Sequence, residues 1–124
     1  MKLKALREKL SVCKLPDTAG IDLSRPLYFL GRTADEISLV CETKDAPARA
    51  LAREDGWRAF CIVGQLDFSL IGILSRLSAV LAEAGVGIFA VSTYDTDYIL
   101  VKQEQFAWAL EVLAAAGYEL EENT

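Results

Sequence analysis

Apolar and polar positions along this chain switch between two periods. From Trp57 to Val63 the apolar residues predict a buried strand. From Phe68 to Ala84 they return at helical spacing: Leu70, Leu74, Leu77 and Leu81 form a stripe, Ile73, Val80 and Ala84 widen it, and Ser69, Ser75, Arg76 and Glu83 lie opposite. Gly85 stands where a left-handed cap closes such a helix. Val86 to Ser92 and Asp97 to Lys102 are rich in β-branched and aromatic residues, and Thr93-Tyr94-Asp95-Thr96 between them supplies turn chemistry. These runs predict a hairpin whose tip is crowded with side-chain oxygens. Phe106, Ala109, Leu110 and Leu113 predict a second helix stopped by Gly117, and Tyr118 to Glu121 a short last strand. The resulting order over 57–121 is strand, helix, strand, strand, helix, strand, which predicts a ferredoxin-like α+β fold.

The first half repeats part of this plan. Leu10 to Leu15 predicts a strand that Pro16-Asp-Thr-Ala-Gly20 ends. Leu27 to Arg32 and Glu36 to Glu42 predict another hairpin, turned by Thr33-Ala-Asp35, with Ile37, Leu39 and Cys41 on one face. Ile21 to Pro26 is too short to hold a normal helix before it, whereas alanine-rich Ala46 to Arg53 predicts a helix starting near Pro47. Residues 1–9 suit either a helical turn or a strand. The organisation expected is a degenerate N-terminal repeat at 1–55 and a complete one at 57–121.

A family resemblance rests on the second half. Gly85-Val-Gly-Ile-Phe-Ala-Val-Ser-Thr-Tyr-Asp-Thr-Asp-Tyr-Ile-Leu-Val101, preceded by Leu66-Asp-Phe-Ser-Leu-Ile-Gly-Ile73 and Gly56-Trp-Arg-Ala59, resembles the ACT domains of small bacterial ACT-like proteins. These are relatives of the ACT regions of aspartate kinases and of the cytosolic arginine sensor of the TOR pathway. In residues 1–55 only Arg32-Thr-Ala-Asp-Glu-Ile-Ser-Leu-Val-Cys41 looks like the family. In the arginine sensor the matching Ser-Thr-aromatic-x-x-Asp segment contacts the ligand, and the resemblance therefore implies ligand contacts from Ser92, Thr93, Tyr94 and Asp97. Asp67 and Leu70 stand where that sensor has a Gly and a Glu, which favours a ligand with an uncharged or aliphatic side chain over arginine.

Composition narrows the chemistry. A net charge of −5 disfavours binding to a phosphate backbone, so no nucleic-acid partner is expected. The apolar runs are far short of a membrane span, and the basic start Met1-Lys-Leu-Lys-Ala-Leu-Arg is followed by no apolar core of a signal, which predicts a cytoplasmic protein. Cys13, Cys41 and Cys61 each sit in an apolar run with no short spacing between them and are expected to be buried thiols. Histidine is absent, which removes the commonest metal ligand and general base, and no nucleophile and base, phosphate loop or metal cluster is visible. No metal, cofactor or catalysis is expected.

The candidate ligand-binding residues are Gly64, Asp67, Phe68, Ser69, Ser92, Thr93, Tyr94 and Asp97. Asp67 is either the N-cap of the first helix or part of a site in which the turn and the helix N-terminus receive a ligand carboxylate. Asp95 and Asp97 are either turn formers, bonding their own backbone two residues on, or functional carboxylates, and the turn reading is favoured for Asp95. Asp97 opens a strongly apolar strand, so its carboxylate needs a partner or a ligand. Gly72 falls inside the predicted helix, where alanine would be about 1 kcal/mol better, so either close packing or backbone access for a ligand is the expected reason for it. Two functions are expected from these readings: a regulatory module that binds a small molecule, most plausibly an amino acid, and acts on a separate protein, or a ligand-free interaction module. Both predict self-association, because a ferredoxin-like sheet leaves open edges.

Overall fold

A computed structural model describes residues 1–64 and 71–122 of the chain. They form two compact units, one from Met1–Arg7 with Arg58–Thr124 and the other from Glu8–Trp57. The first seven residues thus belong to the same unit as the second half of the chain.

The larger unit contains β1 (Lys2–Ala5), the end of β5 (Ala52–Ile62), α1 (Ile73–Glu83), β6 (Phe89–Ser92), β7 (Asp97–Lys102), α2 (Gln103–Ala115) and β8 (Glu119–Glu122). Its strands lie in the order β6, β7, β5, β1, β8. β5 through β8 give the expected ferredoxin-like sequence of elements. β1 is the unexpected member, wedged between β5, to which it is antiparallel, and β8, to which it is parallel. Leu3 and Ala5 alternate inward with period two and reach the core at 0% and 7% exposure, which decides the strand over the helical turn.

One face of that sheet carries both helices. Leu3, Ala5, Phe60, Ile62, Ile99 and Val101 alternate out of the strands onto Leu77 and Leu81 of α1 and Phe106, Ala109 and Leu113 of α2. Both helices end in the same way. Val86 donates its N–H to the Leu81 carbonyl and Tyr118 to that of Leu113, while left-handed Gly85 and Gly117 donate to Ala82 and Ala114. Arg58 lies 4.2 Å over the Phe106 ring and donates to the Leu6 carbonyl at 2.8 Å, so a cation at the edge of the core is fully used.

α1 begins later than the periodicity predicts. Its N-cap is Gly72 in the left-handed region at φ 80°, with no side-chain cap. Gly72 is therefore the helix's boundary and not part of its interior, and the close-packing and ligand-access explanations for it give way to backbone conformation. Residues 65–70, on which the predicted start of the helix and the cap by Asp67 depended, lie outside the described residues.

The smaller unit holds β2 (Leu10–Leu15), β3 (Tyr28–Arg32), β4 (Ile37–Glu42), a single 3-10 turn at Thr43–Asp45 and the start of β5. Its order β3, β4, β2, β5, with each neighbouring pair antiparallel, is that of a ferredoxin-like sheet. Its helices are missing. The helix expected over 46–53 does not form; the 3-10 turn precedes it and β5 starts at Ala52. Pro47 cannot donate a helical bond and pushes Ala46 to an extended ψ of 130°. The segment is held instead by Arg49, which pairs with Asp17 and donates to the Ala19 carbonyl, and by Asp45, which meets Arg25 at 3.4 Å. Ile21, Ala46 and Ala50 then cover Cys13, Leu15, Leu39 and Cys41 in place of helices.

All three cysteines are buried and unbonded to one another. Burial pushes each thiol upward, that of Cys41 to about 12. Among the described residues, no helix is long and apolar enough to cross a membrane.

Candidate functional site

The tip of the β6–β7 hairpin is built from hydroxyls. Thr93 donates its N–H to the Thr96 carbonyl at 2.8 Å, and its Oγ1 donates to the same carbonyl at 3.1 Å. Ser92 and Asp97 are cross-strand partners, and Ser92 Oγ donates to Asp97 Oδ1 at 2.6 Å, a charge-assisted bond that sets the carboxylate's orientation. Asp97 shares its side of the strand with buried Ile99 and Val101, the side on which the helices lie. Tyr94 points the other way in character: it is 75% exposed.

Thr96 ties this tip to the rest of the sheet. Its Oγ1 donates to the carbonyl of Ile62, the last residue of β5, at 2.8 Å. Gly64 follows two residues later with φ 94°, so the loop leaving β5 starts beside the hairpin tip. The structure thus brings Gly64 to the same end of the sheet as Ser92, Thr93, Tyr94 and Asp97, while Asp67, Phe68 and Ser69 lie outside the described residues. Thr96 is the residue that the sequence reading passed over as turn chemistry. A hydroxyl directly before the first residue of a strand is its only visible signal.

Chemically, the tip offers a positioned carboxylate, the hydroxyls of Ser92, Thr93 and Thr96 and an exposed phenol. Among the described residues, no group of three or more Cys, Asp and Glu side chains could hold a metal ion. Tyr98, next to Asp97, has its phenol pushed above its ordinary value by burial and, to a lesser degree, by Cys61.

The smaller unit builds the same turn at β3–β4. Thr33 donates its N–H to the Glu36 carbonyl at 2.9 Å, and its Oγ1 accepts from the amides of Asp35 and Glu36. Arg32 and Ile37 pair across this tip as Ser92 and Asp97 pair across the other.

The model of the ACT domain family matches residues 52–115, just over half of the 124-residue chain. The chain belongs to the ACT domain family. That match begins with β5 and ends with α2, so it spans the ACT hairpin and both helices. A crystal structure of a protein from Agobacterium tumefaciens is similar over the whole length, at 30% identity, 99% of this chain, 93% of that one and a TM-score of 0.86. A Vibrio cholerae protein of unknown function, described as a possible transport protein, shares the fold at 19% identity, with 90% and 86% coverage and a TM-score of 0.75. The ligand-free regulatory subunit of aspartate kinase from Thermus thermophilus also shares it, at 11% identity, 94% and 97% coverage and a TM-score of 0.67. No curated protein matches the chain by sequence.

Proposed function

We propose that this protein is a regulatory ACT module whose ligand is a small amino acid, held between the hairpin tip and the loop after β5. The observation that supports the reading is the bond from Thr96 to the Ile62 carbonyl, which joins the hairpin tip to the end of β5, two residues before Gly64. Asp97, held by Ser92, would receive the ligand's ammonium group. Backbone amides of the segment 64–69, with Asp67, Phe68 and Ser69, would face its carboxylate. A side chain without charge suits the apolar Leu70. The architecture shared with an aspartate kinase regulatory subunit supports a regulatory role, in which a ligand changes how the module meets another polypeptide.

A thermal-shift screen of the twenty amino acids tests this. A ligand at one hundred times its dissociation constant adds about 2.7 kcal/mol to stability. Absence of any shift would leave the interaction-module reading, in which the same surfaces only associate.

Self-association belongs to either reading. β6 pairs only with β7 among the described strands and offers an open edge with half-buried Phe89 and Val91. Light scattering at tens of micromolar should give a dimer or larger species; a monomer would remove this part. The reading also places the protein in the cytoplasm, where three free thiols persist, and assigns it no turnover of its own. Hydrolase, transferase or redox turnover lost on Asp97→Ala would contradict the last point.

A further inference from the structure

The sheet of the smaller unit is covered by two straps without α-helix, residues 16–26 and 44–50. Their apolar contribution is small. Ile21, Ala46 and Ala50 pack on Cys13, Leu15, Leu39 and Cys41, whereas Leu23 in the first strap is 71% exposed. The backbone bonds of the first strap stay local, from Ile21 to Thr18 and from Arg25 to Asp22. The second is anchored at its two ends, where Thr43 donates to the Lys9 carbonyl at 2.9 Å and Leu51 to that of Lys14 at 2.7 Å.

Charge joins the straps to each other. Arg49 of the second pairs with Asp17 of the first and donates to the Ala19 carbonyl at 2.9 Å. In the opposite sense, Arg25 of the first meets Asp45 of the second at 3.4 Å. Both arginines are about half exposed, so water competes for their partners. Exposed pairs contribute little each, and a segment with few buried apolar contacts opens more readily than the sheet beneath it. Each strap lends the other both an arginine and an aspartate, so release of one strips the other of its charge partners. The two therefore open together.

Under this cover lie Cys13 and Cys41, at 1% and 0% exposure. Burial holds both thiols above their ordinary value, that of Cys41 at about 12, which keeps them protonated and unreactive while the straps are closed.

We propose that residues 16–26 and 44–50 form a single releasable cover, latched by the Arg49–Asp17 and Arg25–Asp45 pairs, which opens while β2, β3, β4 and β5 stay folded and so gates access to Cys13 and Cys41. It is a conformational switch of the smaller unit, independent of any ligand at the β6–β7 tip.

Alkylation of the full chain by iodoacetamide reads the opening: the thiolate sulfur bonds the reagent's methylene carbon, iodide leaves and the thiol proton passes to water. Rates at Cys13, Cys41 and Cys61 are followed separately by peptide mass spectrometry in the parent, in Arg49→Gln and in the double variant Arg25→Gln with Arg49→Gln. Cys13 and Cys41 should react about threefold faster in Arg49→Gln and about tenfold faster in the double variant, in step with each other, while Cys61 stays within about twofold. In the parent, where no variant can misfold, urea should speed labelling of Cys13 and Cys41 with less than half the slope of global unfolding. Unchanged rates in the double variant overturn the latch. Acceleration of all three thiols together, or a urea slope equal to that of global unfolding, means that Cys13 and Cys41 are reached only when the chain unfolds, and overturns the cover. Acceleration of Cys13 or Cys41 alone overturns the joint release.

Discussion

Thr96 Oγ1 reaches the Ile62 carbonyl at 2.8 Å, so the tip of one hairpin and the end of the neighbouring strand are joined by a single hydroxyl. Thr96→Val keeps the shape and removes the donor, leaving a partly buried carbonyl without its partner. The expected cost is about 1–2 kcal/mol in urea unfolding, with the slope unchanged. A neutral result would mean that water replaces the hydroxyl and that the tip is not held by it.

Gly72 separates a reading of spacing from a reading of backbone. Inside a helix, Gly72→Ala would stabilise by about 1 kcal/mol. At φ 80°, with an added Cβ only 3.0 Å from Arg76 Nη1, it is expected to destabilise by about 1 kcal/mol. Gly87, with open space around it and no left-handed backbone, is the control, and Gly87→Ala should fall within about 0.5 kcal/mol of the parent. Thermal or urea unfolding of the two variants gives the sign.

Acid should loosen the smaller unit through Asp55. Its carboxyl is held below the ordinary 3.8, chiefly by the hydrogen bond from Arg53 and then by that from buried Ser11 at 2.5 Å. A carboxyl with a lowered folded value contributes its stability above the unfolded value, and loses it as the pH falls through the folded one. Stability should therefore drop below about pH 4, and Asp55→Asn should flatten that drop. An acid limb of the same steepness in the variant would show that other carboxylates, such as Asp17 held by Arg49, control it.

Much of the fold was legible because burial and periodicity agreed. Ile99, Leu100 and Val101 are fully buried where the hairpin was read, and Leu77 and Leu81 anchor α1 where its stripe was read. Three things were not. Lys2-Leu-Lys-Ala pairs with two distant strands, and Leu3, Leu6 and Leu10 fit a helical spacing equally well, so β1 was undecided. Alanine-rich 46–53 has helical propensity, but Pro47 and the ties from Arg49 and Asp45 override it. At the hairpin tip, the positions of Ser92, Thr93, Tyr94 and Asp97 follow from the hairpin that the sequence pattern predicts. The anchor Thr96 was not legible, because its acceptor is 34 residues away in the chain.

The most direct test of the central claim is the affinity of the amino acid that gives the largest thermal shift, measured by titration calorimetry on the parent and on Asp97→Asn. Asp97 is fixed by Ser92 at the tip, and removing its charge takes away the group assigned to the ligand's ammonium. The account predicts at least a tenfold loss of affinity, about 1.4 kcal/mol, with unfolding unchanged in the absence of ligand. Equal affinity in the two proteins would contradict it.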